Sequence, residues 1–271
     1  MILLLLQQAE SQAPRGTLPS LNELLATNTP PFAYGLGFLG DLLWLVVYVL
    51  AIRIAIRQQT YAIPAAAIVL NVTWEFVHSV IFPPPAAIDL MATLLWLAFD
   101  LVILIQLFRP GREGQTTPEG RQTFRWAVLA GVVVAVLGHA TFYLNVTANS
   151  IFPDRGGVIS AYLINLVMSI LFIQLFFDRP DGRGISKGIA WCKMLGTGAV
   201  SLANTISIFH LPPIVYQVQI RRNDSSPWQD MGTIGSSTIH PGFLYFLFLS
   251  VFVADLIYVV LVSRRPVPQP A

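Results

Sequence analysis

Seven apolar runs, each close to the roughly 20 residues that a helix needs to cross a bilayer, leave this chain few folds to choose from. They cover approximately Ala33–Ile56, Tyr61–Phe82, Ala87–Phe108, Arg125–Val146, Val158–Phe177, Gly188–Leu211 and Phe243–Val262. No strand alternation competes with them, and no solenoid-like period recurs. Hydrophobic residues make up 55% of the chain and charged ones only 11%, whereas a soluble domain carries about 25% charge. The pattern predicts an all-α integral membrane protein, a seven-transmembrane-helix bundle over residues 33–263. Residues 1–32 form a polar or interfacial N-terminal tail, and 264–271 a C-terminal tail whose prolines cannot continue a helix.

Local punctuation refines this reading. Pro64 is tolerated in the first turn of the second helix, and Pro83-Pro84-Pro85 ends that helix. The longest loop, Pro212 to Gly242 with Trp228, reads either as a lid over the bundle or as a plain surface loop. Basic residues set the orientation. Arg53, Arg57, Arg109, Arg112, Arg121, Arg125, Arg179, Arg183, Lys187, Lys193, Arg264 and Arg265 fall on one side, with only Arg15, Arg155, Arg221 and Arg222 opposite. The N-terminus is therefore expected outside or in a lumen, and the C-terminus in the cytoplasm.

Against this background the stretch from Asn71 to His78 stands out. Asn71, Trp74, Glu75 and His78 fall at i, i+3, i+4 and i+7, so a helix projects all four from one face. A carboxylate in a bilayer core costs about 2.5–3.5 kcal/mol or more and persists where it faces a protein interior. Other polar groups lie at similar depth. At ~1.5 Å per residue, Asp41, His78, His139, Asn165 and Asn204 sit roughly 6–14 Å below the outer surface, with Asn71, Asp100 and Asp255 somewhat deeper. They are expected to line one cavity in the outer half of the bundle. Aromatic residues share their faces: Trp44 and Tyr48 follow Asp41, Trp96 lies between Asp89 and Asp100, and Tyr258 follows Asp255. Asn165, Asn204 and His139 read as helix-packing residues, and Asp41 and Asp100 equally well as structural interhelical bonds.

Much chemistry is missing from the sequence. There is no nucleotide loop, no zinc motif of the His-Glu kind, no serine elbow and no aspartate-rich run for magnesium. A net charge of +2 gives no basic field for nucleic acid. The single cysteine, Cys192, forms no internal disulfide and no cysteine-based metal cluster. The seventh helix has no lysine to which retinal could attach. A carboxyl group desolvated in an apolar pocket can stay protonated and act as a general acid. Indole and phenol faces can stabilise a cation formed beside it. That constellation suits acid-initiated rearrangement of a greasy olefin or epoxide, or else a proton relay in a carrier.

Further residues carry a resemblance. They are Tyr48-Val49-Leu50-Ala51-Ile52-Arg53 before Thr60-Tyr61-Ala62-Ile63-Pro64, and Asn71-Val72-Thr73-Trp74-Glu75-Phe76. Trp96 and Asp100, the run Trp191-Cys192-Lys193-Met194-Leu195-Gly196-Thr197, and Asp255-Leu256-Ile257-Tyr258 complete them. From about residue 36 to 262 the chain resembles the membrane-integral terpene cyclases of fungal meroterpenoid and indole-diterpene pathways, the pyripyropene- and paxilline-type cyclases. The resemblance implies cyclisation of an epoxidised prenyl chain without metal or cofactor, in the endoplasmic reticulum of a fungus. A bacterial inner membrane fits the topology equally well. It also implies a lipophilic epoxy-isoprenoid substrate, with an epoxidase and a prenyltransferase acting upstream in the same pathway. Carried over, the acids implicated in protonating the epoxide are Glu75 and Asp255. Asn71 and His78 would set their protonation, and Trp74, Trp96 and Tyr258 would shield the cation. Two departures from the family pattern are the long N-terminal segment and His78, which stands where an aromatic residue is expected and could serve as the final base. The rival readings are a sterol-isomerase-like enzyme and a proton-coupled carrier or receptor, the carrier predicting internal repeats or discontinuous helices that the sequence does not display.

Overall fold

The computed structural model describes residues 30–84, 87–109, 117–144, 157–209, 214–215, 236–237 and 242–265. Helix α1 spans Pro31–Arg57, and α2 Ala65–Phe76 continues into a π-helical turn, Val77–Ile81. There follow α3 Ala87–Leu107, α4 Pro118–Phe142, α5 Val158–Asp178, α6 Lys187–Phe209 and α7 Gly242–Arg264. Seven helical segments therefore stand where the apolar runs predict them. Among the described residues five helices, α1, α3, α4, α5 and α7, are long and apolar enough to cross a membrane. The α2 segment is shorter, and α6 dilutes its apolar residues with glycine, serine, threonine and Lys193.

Helix boundaries differ from the apolar runs for local reasons. Helix α4 starts at Pro118, well before Arg125, because Thr117 caps it: its hydroxyl accepts the Gly120 N–H at 3.0 Å, with proline at the first position. Pro64 caps α2 rather than lying inside it, so Tyr61–Ile63 stay outside the helix. At the other end of α2 the ladder widens, and Phe82 N–H reaches back five residues to the Val77 carbonyl at 2.8 Å. Side chains take up carbonyls at this transition, His78 Nδ1 lying 3.0 Å from the Trp74 oxygen and Ser79 Oγ donating to the Glu75 oxygen at 2.6 Å. Such π turns recur at functional sites. A two-residue antiparallel pair, Ile214–Val215 with Ser236–Ser237, corrects the strand-free reading of the long loop. Trp228 and the rest of that loop, the tail residues 1–29 and 266–271, and Arg155, Arg221 and Arg222 lie outside the described residues.

Packing closes the helices into a ring, α1–α6–α7–α5–α2–α3 and back to α1, with α4 against the outside of α2. The α1–α6 contact is the most extensive. It depends on two glycines: a Cβ on Gly40 would lie 2.7 Å from the Gly196 carbonyl oxygen, and one on Gly196 only 3.0 Å from that of Gly40. Small residues at a crossing let backbones approach closely. The main core is built around Val47, Ile68, Phe172, Ile189 and Val259, while residues such as Val134, Met91 and Leu249 face outward. Outside and inside are both apolar, as a bilayer solvent requires. Lys193 is wholly buried within the bundle, so it leaves the set of basic residues that the positive-inside argument places at the membrane surface.

Candidate active site

Inside the ring lies a cavity of ≈ 330 Å³, walled by α1, α2, α3, α5 and α6. From α1 come Asp41, Trp44 and Tyr48, one turn apart each. Helix α2 contributes Asn71, Trp74 and Glu75, and α3 contributes Asp89, Thr93 and Trp96. Tyr162, Asn165 and Met168 reach in from α5, and Thr197 and Val200 from α6. Its size falls within the range of about 300–1,000 Å³ usual for small-molecule sites. Among the described residues five aromatic side chains line it, with Trp44 and Trp96 flanking Tyr48 at centroid distances of 6.3 and 5.3 Å.

Glu75 is buried at 7% exposure, and its Oε2 has no hydrogen-bond partner among the described residues. Asn71, one turn away, donates both amide protons, to the Tyr48 hydroxyl at 2.7 Å and to Asp100 Oδ2 at 2.6 Å. Asp100 is thus the backing of the cavity wall and not part of its lining. Trp74 is anchored by its indole N–H on Ser160 Oγ at 3.0 Å, at the start of α5. There Gly157 adopts φ +73°, and a Cβ would strike the Trp74 ring and come within 3.0 Å of His78 Nε2. Asp41 sits on the exposed edge of the cavity, as does Asp89.

Beyond Asp100, the sequence expectation that these polar groups and their aromatic companions line one cavity fails for Asn204 and for four further residues. His78 stacks on Trp74 at 4.2 Å and meets Tyr143 edge-on at 5.8 Å, outside the lining. Asp255 is 1% exposed and its Oδ1 lies 2.5 Å from Lys193 Nζ, behind α5 and α6. Tyr258, one turn further along α7, is packed on Phe172 at 5.1 Å, and no α7 residue reaches the cavity. His139 binds the Leu70 carbonyl at 3.2 Å, as a packing residue does. Asn165 keeps the place that the polar layer gave it, lining the cavity rather than serving only as the packing residue it also reads as. The reason is the order of the ring, in which Tyr162–Ser201 at 2.9 Å and Asn165–Thr197 at 3.3 Å tie α5 to α6 and screen α7 off.

Tyr162, Thr197 and the buried Lys193 are the residues that periodicity alone did not bring forward. A signal existed. Tyr162, Asn165 and Ser169 fall at i, i+3 and i+7 on α5, and Lys193, Thr197 and Ser201 at i, i+4 and i+8 on α6. Each is a polar stripe on an apolar helix, the pattern that singled out Asn71–His78 on α2.

Comparison with known proteins gives the chain its family. The chain is 26% identical over 185 residues to a Pyr4-family terpene cyclase of Annulohypoxylon moriforme, covering 65% of this chain and 74% of that one. A terpene cyclase of Penicillium terrestre is 24% identical over 172 residues, 62% of this chain and 64% of its own. One from Aspergillus fumigatus is 24% identical over 167 residues, 61% and 64% of the respective chains. The matched part thus spans somewhat less than two thirds of the latter two relatives. No solved structure matches the chain. The profile of one family covers residues 27–216, most of the helical domain and every cavity-lining residue, and on that match the chain belongs to the Pyr4-like transmembrane terpene cyclases.

Proposed function

We propose that this protein cyclises an epoxidised prenyl chain carried by a meroterpenoid or indole-diterpene precursor, with Glu75 as the acid that starts the reaction. The observation that carries the reading is the buried, unpartnered Glu75 Oε2 on the wall of an aromatic cavity. An apolar enclosure tolerates a carboxylic acid far better than an unpaired carboxylate. Glu75 therefore enters as the proton carrier. Its proton goes to the epoxide oxygen, the C–O bond at the more substituted carbon breaks, and the electron pair of a neighbouring olefin closes the first carbon–carbon bond. The cation passes along the chain beside Trp44, Trp74, Trp96 and Tyr48, whose ring faces attract positive charge. Loss of a proton to water or to the Glu75 carboxylate ends the sequence. The product is an isomer of the substrate, with no oxidant or reductant consumed.

What favours Glu75 over Asp255 is place and pairing. Asp255 stands off the cavity and against an ammonium group, a poor setting for an acid that must release a proton to substrate. Asn71, one turn from Glu75, holds both Tyr48 and Asp100 by hydrogen bonds. The reading keeps the topology expected from the basic residues, with the C-terminus cytoplasmic and, in a fungal host, the endoplasmic reticulum as its membrane. An epoxidase and a prenyltransferase would supply the substrate.

The test is conversion of an epoxyfarnesyl or epoxygeranylgeranyl meroterpenoid by purified protein in detergent, with EDTA present, read by mass and NMR. Wild type is expected to give a cyclic isomer. Glu75→Gln, folded by its melting curve, should lose about 10²–10⁴ in rate, the usual contribution of general acid catalysis. Cyclisation by Glu75→Gln at the wild-type rate would refute the assignment.

A further inference from the structure

Lys193 is the one lysine that the fold buries completely, and the proposed acid chemistry makes no use of it. Its Nζ lies 2.5 Å from Asp255 Oδ1, 2.6 Å from Ser169 Oγ and 3.1 Å from Asn165 Oδ1. An ammonium has three protons and no acceptor, so these three contacts exhaust it. The ammonium can face only the oxygen of the Asn165 amide, which turns the amide nitrogen the other way. That nitrogen donates to Thr197 Oγ1 at 3.3 Å. The same hydroxyl oxygen accepts the Trp44 indole N–H at 3.2 Å.

Both partners of Thr197 are obligate donors. A hydroxyl offers two lone pairs and one proton, and both lone pairs are now taken. Its remaining capacity is to donate, and among the described residues it donates to none. Thr197 lines the cavity. We propose that Lys193, neutralised by Asp255, fixes Asn165 so that the Thr197 hydroxyl is a committed hydrogen-bond donor to a substrate oxygen. Thr197 is then a binding residue, Lys193 and Asn165 position it, and Asp255 serves as counter-ion to Lys193. The ligand chemistry is an acceptor oxygen, either the epoxide oxygen or a carbonyl or ether oxygen of the head group. This rests on reading the cavity as the substrate site but not on Glu75 being the acid.

Binding separates the two. In the Glu75→Gln background consumption of the probe is slowed about 10²–10⁴-fold if Glu75 is the acid, and short incubations with product analysis monitor the turnover that remains in either case. The probes are an epoxyfarnesyl arene with a carbonyl head group, its unepoxidised parent, and an analogue lacking head-group oxygen. Affinity is read from the ligand-induced rise in melting temperature. Thr197→Val keeps the shape and removes the hydroxyl, both its proton and the acceptor that Trp44 and Asn165 use. It is expected to weaken binding about two- to tenfold, the worth of one neutral hydrogen bond, while Thr197→Ser stays near the parent. A deficit that disappears with the unepoxidised parent places the donor on the epoxide, and one that disappears with the third probe places it on the head group.

Removing Asp255 alone strands a buried ammonium, so Asp255→Leu is expected to melt on the order of 10 °C lower. The neutral pair Lys193→Met/Asp255→Leu should regain most of that loss yet show the Thr197→Val binding deficit. Adding Thr197→Val to the neutral pair should then cost nothing further. Equal binding of every probe by Thr197→Val and its parent would overturn the proposal. So would strictly additive losses in the triple variant, or no shift in the parent with any of the three probes.

Discussion

Asn71 offers the sharpest test of how the cavity wall is held. Its amide donates to the Tyr48 hydroxyl at 2.7 Å and to Asp100 Oδ2 at 2.6 Å, and Asp100 is only 2% exposed. Asn71→Leu keeps the volume and removes both donors. Each lost bond should cost about 1–2 kcal/mol, since the acceptors left behind are buried, for a total of about 2–4 kcal/mol. In a chain of this size that corresponds to a melting temperature lower by about 4–16 °C. Asp100→Leu removes one acceptor and strands one amide proton. The double variant has neither partner, so the two changes should be sub-additive by about 1–2 kcal/mol. Thermal or denaturant unfolding in mild detergent, run as a double-mutant cycle, reads this coupling. Turnover should fall in Asn71→Leu with Glu75 intact, because Tyr48 and Asn71 both form the cavity wall. A coupling within the ~0.5 kcal/mol expected of independent sites would mean that Asn71 and Asp100 do not hold one another, and the account of the wall would fall.

Two backbone positions give independent checks. Gly196→Ala places a Cβ 3.0 Å from the Gly40 carbonyl oxygen and 3.1 Å from Trp44 Cδ1, and overpacking of this kind costs about 1–3 kcal/mol. A lower melting temperature and an altered product ratio are expected, and a variant indistinguishable from wild type in both would refute the close α1–α6 crossing. Gly157→Ala puts a side chain at φ +73°, a left-handed conformation costing about 1–2 kcal/mol outside glycine, and drives its Cβ into the Trp74 ring. Weaker turnover with a red-shifted tryptophan emission is expected; unchanged emission would show that Trp74 does not rest on this turn.

How much was legible beforehand differs between the elements. The α2 stripe was readable because a helix fixes the relation of residues three and four apart without any help from neighbours. Asn71, Trp74 and Glu75 accordingly share one wall. His78 belongs to the same arithmetic and drops out, since the ladder widens by one residue at Val77–Ile81. Helix α4 began earlier than its apolar run because a cap is polar and a hydropathy window passes over it.

Apolar length and composition, together with the motifs from Tyr48 to Tyr258, determined a helical membrane protein and its family, because both depend on properties local to each segment. Which face of each helix meets which neighbour is another matter. It depends on the order of the ring, on a glycine pair that lets α1 and α6 touch, and on side-chain bonds that tie α5 to α6. Only those contacts decided that Thr197 and Asn165 face the cavity while Asp255 turns to a lysine behind it. Periodicity gives a residue its face; packing between distant segments alone gives that face a partner.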